Sequence, residues 1–389
     1  MREVAIAGAG VTQFGELWER SLRELGLESG MLALMDAGLE TEDVEALYLG
    51  NMSAGRFIQQ EHIGALIADH SGLADRGVPA TRVEAGGASG GLALHQAYLA
   101  VASGLHDVVM VGGAEKMTDV SDQDAEETTG FAADQEWEVF FGATLASLYA
   151  LVARRHMHLY GTTSEQLAAV AVKNHAHGAA NPKAQFQSRI TIEDVLRATR
   201  VAEPLGVYDC APLTDGGAAL VLTTPERARE LGRPAIVIRG SAQASDSLAL
   251  HDRWSLTEQR ATRIAAERAL KQAGMSLADV DVAELNDAFT IAEVVALEEI
   301  GFAKRGEGGK CAPEGRTALG GELPVNTSGG LKARGNPWGA TGIAQVVELY
   351  DQLVGRAKGR QVEGARVGLA HNVGGTGATV VVHVLEAVR

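Results

Sequence analysis

The sequence predicts an α/β protein whose core is built twice. A helix–glycine–loop–strand unit occurs at residues 31–50 and again at residues 268–286. Apolar residues at helical spacing before Gly38 and Gly274 predict amphipathic helices that end in left-handed glycine caps. A glycine-rich elbow between a strand and a helix also occurs twice. Alternating strands and helices predict mostly parallel sheets covered by helices.

The elements around the two elbows follow in the same order in each half. Residues 83–91 form the first elbow, followed by a predicted helix over 92–103 and a strand over 107–117. Residues 326–342 form the second elbow, followed by a helix and a strand that ends near Gly375. Two such halves packed face to face bring both elbows to one central site.

The segment between the two halves is less regular. It contains an acidic stretch at residues 121–127 that we expect to be a loop, and apolar periodicity that predicts helices over 145–160 and 164–176. Residues 208–222 are typical of a return to the sheet. We therefore predict an N-terminal half at 1–117, an inserted loop subdomain with a return to the sheet at 118–234, and a C-terminal half at 235–389.

Composition and charge exclude several classes of protein. The formal charge of −16 and the pI near 5.2 argue against a nucleic-acid partner. Any phosphate-bearing ligand then needs a local basic patch or a helix N-terminus. No apolar run reaches about 18 residues and the first eight residues resemble a strand rather than a signal peptide, so we expect no membrane segment. Two cysteines give no disulfide framework, which favours a cytoplasmic protein.

Five segments of the chain resemble the thiolase superfamily, and within it the archaeal acetyl-CoA acetyltransferases and the sterol-carrier-protein-type thiolases. They are residues 50–55, 134–138, 154–157, 325–335 and 371–379. The resemblance implies a thiolase fold, with a duplicated five-layered αβαβα core and an inserted loop subdomain. It also implies a homodimer or a dimer of dimers, and a coenzyme A thioester as substrate rather than a bound cofactor.

Three positions of this sequence differ from the motifs of that superfamily. Residues 87–90 are Gly-Ala-Ser-Gly where members have Cys-Ala-Ser-Gly, so Gly87 stands at the position of the nucleophile. Asn336 stands where a Gly-His-Pro motif has its base, and residues 286–289 are Asn-Asp-Ala-Phe where members have His-Asp-Cys-Phe or Asn-Glu-Ala-Phe. Glycine cannot attack a thioester and an amide cannot accept a proton at neutral pH. Because both groups are missing together, we interpret the loss as natural rather than engineered.

Four side chains are candidates for the remaining chemistry. Asn286 and Asn336 are hydrogen-bond donors whose counterparts polarise the thioester carbonyl, although both could instead satisfy loop backbone groups. His371 is the best surviving ionisable group for proton transfer, or else a structural histidine. Asp287 is a second candidate base, but an aspartate between a strand and a helix is more typical of an N-cap. Trp338 either lines a pocket or fills the space that the catalytic side chains left.

Small residues of the elbows and of a glycine loop complete the predicted site. The N–H groups around Gly374 and Gly375 are a possible second oxyanion hole. We expect substrate contacts from Gly87, Ser89, Ser328, Gly329, Trp338, Gly374 and Gly375. Cys210 is expected to be a buried structural thiol, and Cys311 to lie incidentally in a loop. Neither has the spacing of a metal site.

Three functions remain open on the sequence. The first is a nucleophile-independent carbon–carbon lyase that acts on an acyl-CoA by retro-aldol cleavage or decarboxylation, as thiolase-like aldolases do, although this chain lacks the tyrosine of their third motif. The second is a catalytically silent acyl-CoA-binding subunit of a thiolase-type complex. The third is an acetyl-CoA acetyltransferase with a substituted nucleophile. The resemblance also implies a small accessory subunit with an OB fold and a zinc ribbon.

Overall fold

The computed structural model describes residues 1–388, and most of its strands belong to one sheet. The order in this nine-stranded sheet is β3-β2-β4-β7-β1-β8-β11-β10-β9, and β5 and β6 form a separate pair. The strands are β1 Ala5–Val11, β2 Ala46–Gly50, β3 Ala80–Val83, β4 Val109–Glu115, β5 Arg200–Ala202, β6 Leu205–Gly206, β7 Gly216–Thr223, β8 Ala235–Ser245, β9 Val282–Glu284, β10 Val367–Gly374 and β11 Thr379–Val388.

Most helices cover this sheet, and α5 to α8 belong to the segment between the two halves of the chain. They are α1 Leu22–Ala37, α2 Ala54–Phe57, α3 Ile63–His70, α4 Ser89–Ala102, α5 Asp122–Gly130, α6 Leu145–Tyr160, α7 Ser164–Gly178, α8 Ile192–Arg197, α9 Pro225–Glu230, α10 Arg260–Ala273, α11 Thr290–Ile300, α12 Gly308–Cys311, α13 Gly330–Ala333 and α14 Trp338–Leu353. Helices α1 and α10 end at Gly38 and Gly274 with φ of 71° and 67°, which confirms the two predicted left-handed caps. None of the helices in residues 1–388 is long and apolar enough to cross a membrane.

The helices sort into three layers on the two halves of the sheet. Helices α4 and α14 pack on each other and contact strands of both halves, so they form the middle layer. Helix α1 packs on β1 and β7, while α10 packs on β8 and β11, which gives the two outer layers. The halves join through a short pairing in which Ala5 and Ile6 oppose Val237 and Ile236. The predicted five-layered αβαβα core is confirmed, whereas the exact subdomain boundaries at 117 and 234 stay a prediction.

The prediction of mostly parallel sheets is wrong. Five of the eight neighbouring pairs in the large sheet are antiparallel, and only β3-β2-β4 and β10-β9 run parallel. Strand β11 follows β10 through a tight turn without a crossover helix, so the two form a hairpin. Strand β7 enters from the inserted segment and runs against both β1 and β4. The alternation of strands and helices along the chain therefore predicts the parallel pairs at the two sides of the sheet, but not the antiparallel pairs at its centre.

Two local predictions in the irregular regions are also corrected. The acidic stretch at 121–127 is not a loop, because α5 begins there: the Ser121 hydroxyl accepts a hydrogen bond from the Asp124 N–H and caps the helix. Cys311 does not lie in a loop but at the end of α12, where it is buried. The predicted helices over 145–160 and 164–176 are confirmed as α6 and α7, the second extending two residues further.

The first turn of α14 packs backbone against backbone in the middle of the molecule. A Cβ atom added to Gly50, Gly90 or Gly113 would lie 2.7, 2.6 or 2.0 Å from the carbonyl oxygen of Gly339. These three glycines come from β2, α4 and β4, so three separate elements surround one peptide group. The close approach fixes the depth at which α14 enters the fold and thereby the position of its N-terminal residues.

Candidate active site

The two glycine-rich elbows meet at a cavity of about 550 Å³. Gly87 of the first elbow and Asn336 and Trp338 of the second line it together. Asn372, on β10, fastens the first elbow to the C-terminal half: its Nδ2 donates to the Gly87 carbonyl at 3.0 Å and its Oδ1 accepts from the Gly91 N–H at 3.1 Å. This confirms that both halves contribute to one central site. The cavity is lined by Gly87, Asp122, Glu126, Thr129, Thr144, Leu145, Ala146, Tyr149, Val201, Val207, Cys210, Ala211, Pro212, Leu213, Asn286, Ala288, Phe289, Asn336, Trp338, Val373 and Gly375.

The first elbow presents backbone, and no side chain, to this cavity. Ser89 is fully buried, and its hydroxyl donates to the Gly86 carbonyl at 2.6 Å while accepting from the Ala85 N–H at 2.9 Å. Ser89 therefore holds the elbow closed and does not line the cavity as expected. Gly87 does line it, and a Cβ atom at this position would lie 2.8 Å from the carbonyl oxygen of Val373.

Asn336 lies just before the N-terminus of α14, and hydrogen bonds to neighbouring residues orient it. Its Oδ1 accepts from the Thr341 hydroxyl at 2.8 Å, and its backbone N–H donates to the Thr214 hydroxyl at 2.9 Å. The amide nitrogen forms no hydrogen bond within residues 1–388, and the residue lines the cavity. The Thr341 hydroxyl also lies 3.0 Å from the Pro337 carbonyl, its second acceptor. With Oδ1 towards Thr341, the Nδ2 donor of Asn336 is left for a ligand.

Asn286 repeats this arrangement on the other wall of the cavity. Its Oδ1 accepts from the Ala288 N–H at 3.4 Å, and its own backbone N–H faces Nδ1 of His371 at 3.4 Å. Its Nδ2 likewise has no partner among the residues that the structure describes. Two amide groups in one pocket thus have their oxygens occupied and their N–H donors free, which is the arrangement that can bind an oxyanion.

His371 lies behind the site and not in it. The ring is fully buried on β10, and its Nε2 is 3.0 Å from the Thr262 hydroxyl while Nδ1 accepts from Asn286. Burial lowers the pKa of His371 to about 3. The ring is therefore neutral at neutral pH and does not line the cavity, so its geometry matches the structural alternative: it positions the Asn286 backbone.

Asp287 is also buried behind the cavity. Its carboxylate accepts from the Leu331 N–H at 2.6 Å and from the Asn174 amide at 2.6 Å, so it caps α13 of the second elbow. It does not cap α11, which begins at Thr290 with no side-chain cap. Burial, and then the nearby Glu293 carboxylate, raises the pKa of Asp287 to about 6.

Three further predicted contacts are likewise absent from the cavity wall. The Ser328 hydroxyl donates to Glu284 at 2.6 Å inside the second elbow. Gly329 packs against Gly178 with a φ of 102°, and Gly374 faces the Ala85 carbonyl. These residues shape the loops that carry the site, because the backbone there turns too tightly to expose them. Gly375 and Trp338 do line the cavity, and Trp338 is 8% exposed.

The cavity interior carries no group that is ionised at neutral pH. Its titratable lining residues are Asp122, Glu126, Tyr149 and Cys210. Burial raises the pKa of both Tyr149 and Cys210 to about 12, so the phenol and the thiol stay protonated. Cys210 is half-buried rather than buried, and its thiol donates to the Gly206 carbonyl at 3.4 Å. Asp122 and Glu126 are exposed at the mouth on α5.

Sequence reasoning missed the residues that form the apolar wall and the acidic mouth. Tyr149 stacks on Phe289 at 4.5 Å between ring centroids, and its hydroxyl donates to the Gly375 carbonyl at 3.1 Å. No motif marks Tyr149 within its helix. Asp122 and Glu126 are four residues apart, a spacing that could have revealed one face of a helix in the supposed loop. No group of three His, Cys, Asp or Glu residues in 1–388 is placed to hold a metal ion.

Comparison with known proteins agrees with this architecture. Residues 4–226 match the thiolase N-terminal domain and residues 242–387 the thiolase C-terminal domain-like family, so the chain belongs to the thiolase family. It is 52% identical to an acetyl-CoA acetyltransferase of Methanothermobacter thermautotrophicus over 99% of this chain and 100% of the relative. It is 35% identical to a steroid side-chain-cleaving aldolase of Thermomonospora curvata over 89% of both. The solved structure of the Ltp2-ChsH2(DUF35) aldolase superposes with a TM-score of 0.85 at 32% identity, covering 99% of this chain and 98% of that one.

Proposed function

We propose that this protein cleaves a carbon–carbon bond of an acyl-CoA without forming an acyl-enzyme. The observation that carries the proposal is the single cavity lined by Gly87 and by two amide donors, Asn286 and Asn336. The phenol and the thiol of this cavity, Tyr149 and Cys210, both stay protonated. Such a pocket can stabilise an enolate by hydrogen bonding but has nothing with which to attack a thioester. The likeness to two aldolases supports this proposal.

The reaction that suits these groups is a retro-aldol cleavage of a β-hydroxyacyl-CoA. The β-hydroxyl loses its proton to a carboxylate of α5, Asp122 or Glu126, as its oxygen forms a carbonyl. The bond between the α- and β-carbons breaks, and its electron pair becomes the enolate of the shortened thioester. Asn286 and Asn336 donate to the enolate oxygen, and the proton held by the carboxylic acid then returns through water to the α-carbon, which regenerates the carboxylate. Loss of carbon dioxide from a β-carboxylate would use the same donors.

The walls of the cavity favour a bulky apolar acyl group. Tyr149, Phe289 and Trp338 present aromatic surface on one side, and Leu145 and Val373 add aliphatic surface. An acetoacetyl group is too small to fill about 550 Å³, and apolar contact is worth about 25 cal/mol per Å² buried. We therefore expect branched or cyclic acyl chains to bind better than acetoacetyl-CoA.

The decisive experiment supplies the purified protein with β-hydroxyacyl-CoAs of increasing acyl size and with acetoacetyl-CoA plus free CoA. Release of a ketone or aldehyde together with a shortened acyl-CoA, abolished in Asn336→Ala but not in Cys210→Ala, supports a lyase. Thiolysis of acetoacetyl-CoA above about 1 s⁻¹, an ordinary enzyme rate, contradicts it. Binding of acyl-CoA with no turnover of any substrate would favour the silent subunit.

Acetyl-CoA acetyltransferase activity is the second candidate, and it rests on the relatives that carry this name at 52% and 50% identity. Acyl transfer through the enzyme needs a nucleophile in the pocket. The cysteine in the cavity wall is Cys210, whose raised pKa leaves almost no thiolate at neutral pH. The site thus favours the lyase over the acetyltransferase.

We also propose that the chain works with a small accessory subunit of the OB-fold and zinc-ribbon type, in addition to pairing with a second copy of itself. An aldolase of similar structure is described as Ltp2-ChsH2(DUF35), a pair of components. A groove of this chain carries exposed apolar side chains that suit such a partner: Trp137 is 67% and Phe141 is 71% exposed, and Leu151 lies beside them. Exposed apolar surface of this kind is typical of interfaces.

The accessory subunit is tested by co-expression of this chain with its genomic neighbours of that type. Trp137→Ser with Phe141→Ser should abolish a complex seen by gel filtration, whereas Trp18→Ser, 70% exposed elsewhere, should leave it intact. Full lyase activity from a homodimer or homotetramer alone would remove the partner and leave the lyase standing.

A further inference from the structure

A second cavity, of about 260 Å³, lies at the opposite end of α14 from the candidate active site. Trp338 begins the helix in the first cavity, and Asp351 lines the second one 13 residues later, about 20 Å along the helix axis. The second cavity is lined by Val11, Phe14, Asn181, Pro182, Lys183, Arg334, Ala344, Val347, Glu348, Asp351, Arg356, Lys358 and Arg360. The two cavities share no lining residue.

The walls of this second cavity are basic although the protein is strongly acidic. Five of its lining residues are lysine or arginine and two are acidic, in a chain of formal charge −16. All three arginines have acidic partners, and two of them are closely paired. Arg360 forms a bidentate contact with Glu348 at 2.8–3.0 Å, and Arg356 binds Asp36 and Asp351.

Arg334 is the most deeply buried basic residue in this wall, and its guanidinium is incompletely paired. It is 3% exposed, and its Nη1 reaches the Ser328 hydroxyl at 3.3 Å and Glu284 at 3.5 Å. Its Nε and Nη2 have no hydrogen-bond partner among residues 1–388. Stacking over the Phe14 ring at 5.8 Å offsets only part of this loss. The Glu284 contact leaves these two buried N–H donors unsatisfied, which favours an additional acceptor at this wall.

Two lysines of the cavity wall, Lys183 and Lys358, carry ammonium groups without an acidic partner among residues 1–388. Neither the Lys183 nor the Lys358 ammonium group forms a hydrogen bond or an ion pair within the residues that the structure describes. The Lys183 backbone is fixed on both sides, because its N–H donates to Asn181 Oδ1 at 3.0 Å and its carbonyl accepts from the Phe14 N–H at 3.1 Å. The loop therefore carries this lysine at a defined place over the cavity.

We propose that this cavity is a binding site for a small phosphate-type dianion, inorganic phosphate or a compact phosphate monoester, held by Arg334, Lys183 and Lys358. A planar guanidinium with two free N–H groups beside two ammonium groups matches the several acceptor oxygens of such an anion. The acids in contact with the arginines of this wall, Glu284, Glu348 and Asp351, are each held in an ion pair, which limits their repulsion of the ligand. The site is separate from the acyl-CoA cavity and does not depend on the lyase proposal.

The site is tested on the full chain by isothermal titration with inorganic phosphate, and by thermal unfolding in phosphate against chloride at equal ionic strength. Wild type should bind one phosphate per chain and unfold at a higher temperature in phosphate. Lys183→Ala and Lys358→Ala should each weaken binding at least about fivefold, since a charge-assisted hydrogen bond is lost. Lys304→Ala removes an exposed lysine elsewhere and should bind as wild type does.

Two outcomes overturn the proposal. One is the absence of phosphate binding at 10 mM ligand (on the order of a weak metabolite site), or equal binding in all three variants. The other is competition with coenzyme A. If the site is separate, the affinity for inorganic phosphate should be the same with and without saturating coenzyme A. If coenzyme A abolishes phosphate binding and the two lysine variants lose coenzyme A affinity, the cavity holds phosphates of the acyl-CoA and is not a separate site.

Discussion

The carbonyl oxygen of Val373 occupies the space into which a side chain on Gly87 would grow. A Cβ atom there would lie 2.8 Å from this oxygen, closer than side-chain carbons approach backbone. The first elbow and β10 are therefore fitted to each other with glycine in place. Restoring a cysteine changes the backbone as well as the chemistry.

Gly87→Cys should consequently lower stability by about 1–3 kcal/mol, the range for overpacking, and recover little thiolysis of acetoacetyl-CoA. Gly87→Cys with Asn336→His should recover more thiolysis than the two single variants together, because nucleophile and base act as a unit. Denaturant unfolding and an acetoacetyl-CoA assay measure both effects. Gly15→Cys is the matched control, since the nearest atom to its Cβ is at an ordinary 3.8 Å. A fully active single Gly87→Cys would contradict the expectation.

Removal of one amide donor should slow the proposed lyase with little effect on binding. Asn336→Asp keeps the shape of the side chain but replaces the N–H donor, and we expect kcat to fall by about 10²–10³, as when an oxyanion-hole donor is lost. Asn286→Asp should act similarly. Steady-state kinetics and acyl-CoA titration separate the two effects. Equal loss of binding and of kcat would show that these amides only hold the ligand.

Thr341 should act as a positioning residue for Asn336. Thr341→Val removes the hydroxyl that donates to Asn336 Oδ1 at 2.8 Å, so the amide becomes free to turn. We expect kcat to fall several-fold while KM and thermal stability change little, and Thr341→Ser to restore kcat. If serine restores nothing, the contribution of Thr341 is packing and not orientation.

The buried imidazole of His371 should make the fold sensitive to acid. Its pKa is lowered to about 3 by burial, below the value near 6.5 of the unfolded chain, so the unfolded chain binds more protons below pH 6.5. The stability from this residue is complete above pH 6.5 and is lost as pH falls, by about 2 kcal/mol at pH 5. His371→Asn should be less stable at pH 7 but show a shallower loss between pH 7 and 5. Exposed His158→Asn should leave the wild-type slope, and an equal slope in all three proteins would refute this role.

Cys210 should resist alkylation although it lines the cavity. With its pKa raised to about 12, the thiolate fraction at pH 8 is about a thousandfold below that of a free cysteine. Labelling by iodoacetamide, followed by mass spectrometry, should therefore be at least about 100-fold slower than labelling of glutathione and should accelerate as pH rises. Rapid modification at pH 7 would show a reactive thiol and revive the acetyltransferase.

The sequence predicted the features that depend on local pattern and on long motifs. Left-handed caps, the two elbows and helix α6 follow from glycine placement and periodicity over single segments. The meeting of Gly87 with Asn336 in one cavity also followed, because the duplicated plan requires the elbows to converge.

The parts that the sequence did not predict depend on long-range contacts. His371 and Asp287 looked like candidate bases, yet each is buried by segments distant in the chain and turned towards a backbone N–H group. Tyr149 stacks on Phe289, which lies 140 positions later in the chain, and no local sequence pattern predicts this contact. Whether an ionisable residue faces the cavity or its back is decided by such packing.

The peptide group of Gly339, surrounded by Gly50, Gly90 and Gly113, has a consequence for how this protein can change over evolution. Neighbours made of backbone cannot move into another rotamer, so a methyl group at any of these positions has no local compensation. Descendants of this scaffold are then free to exchange the functional groups that line the cavity, such as those at positions 87 and 336, but must inherit the glycines behind them as a set. The reaction can therefore change by substitution in the cavity wall, while the backbone packing around Gly339 has to be kept.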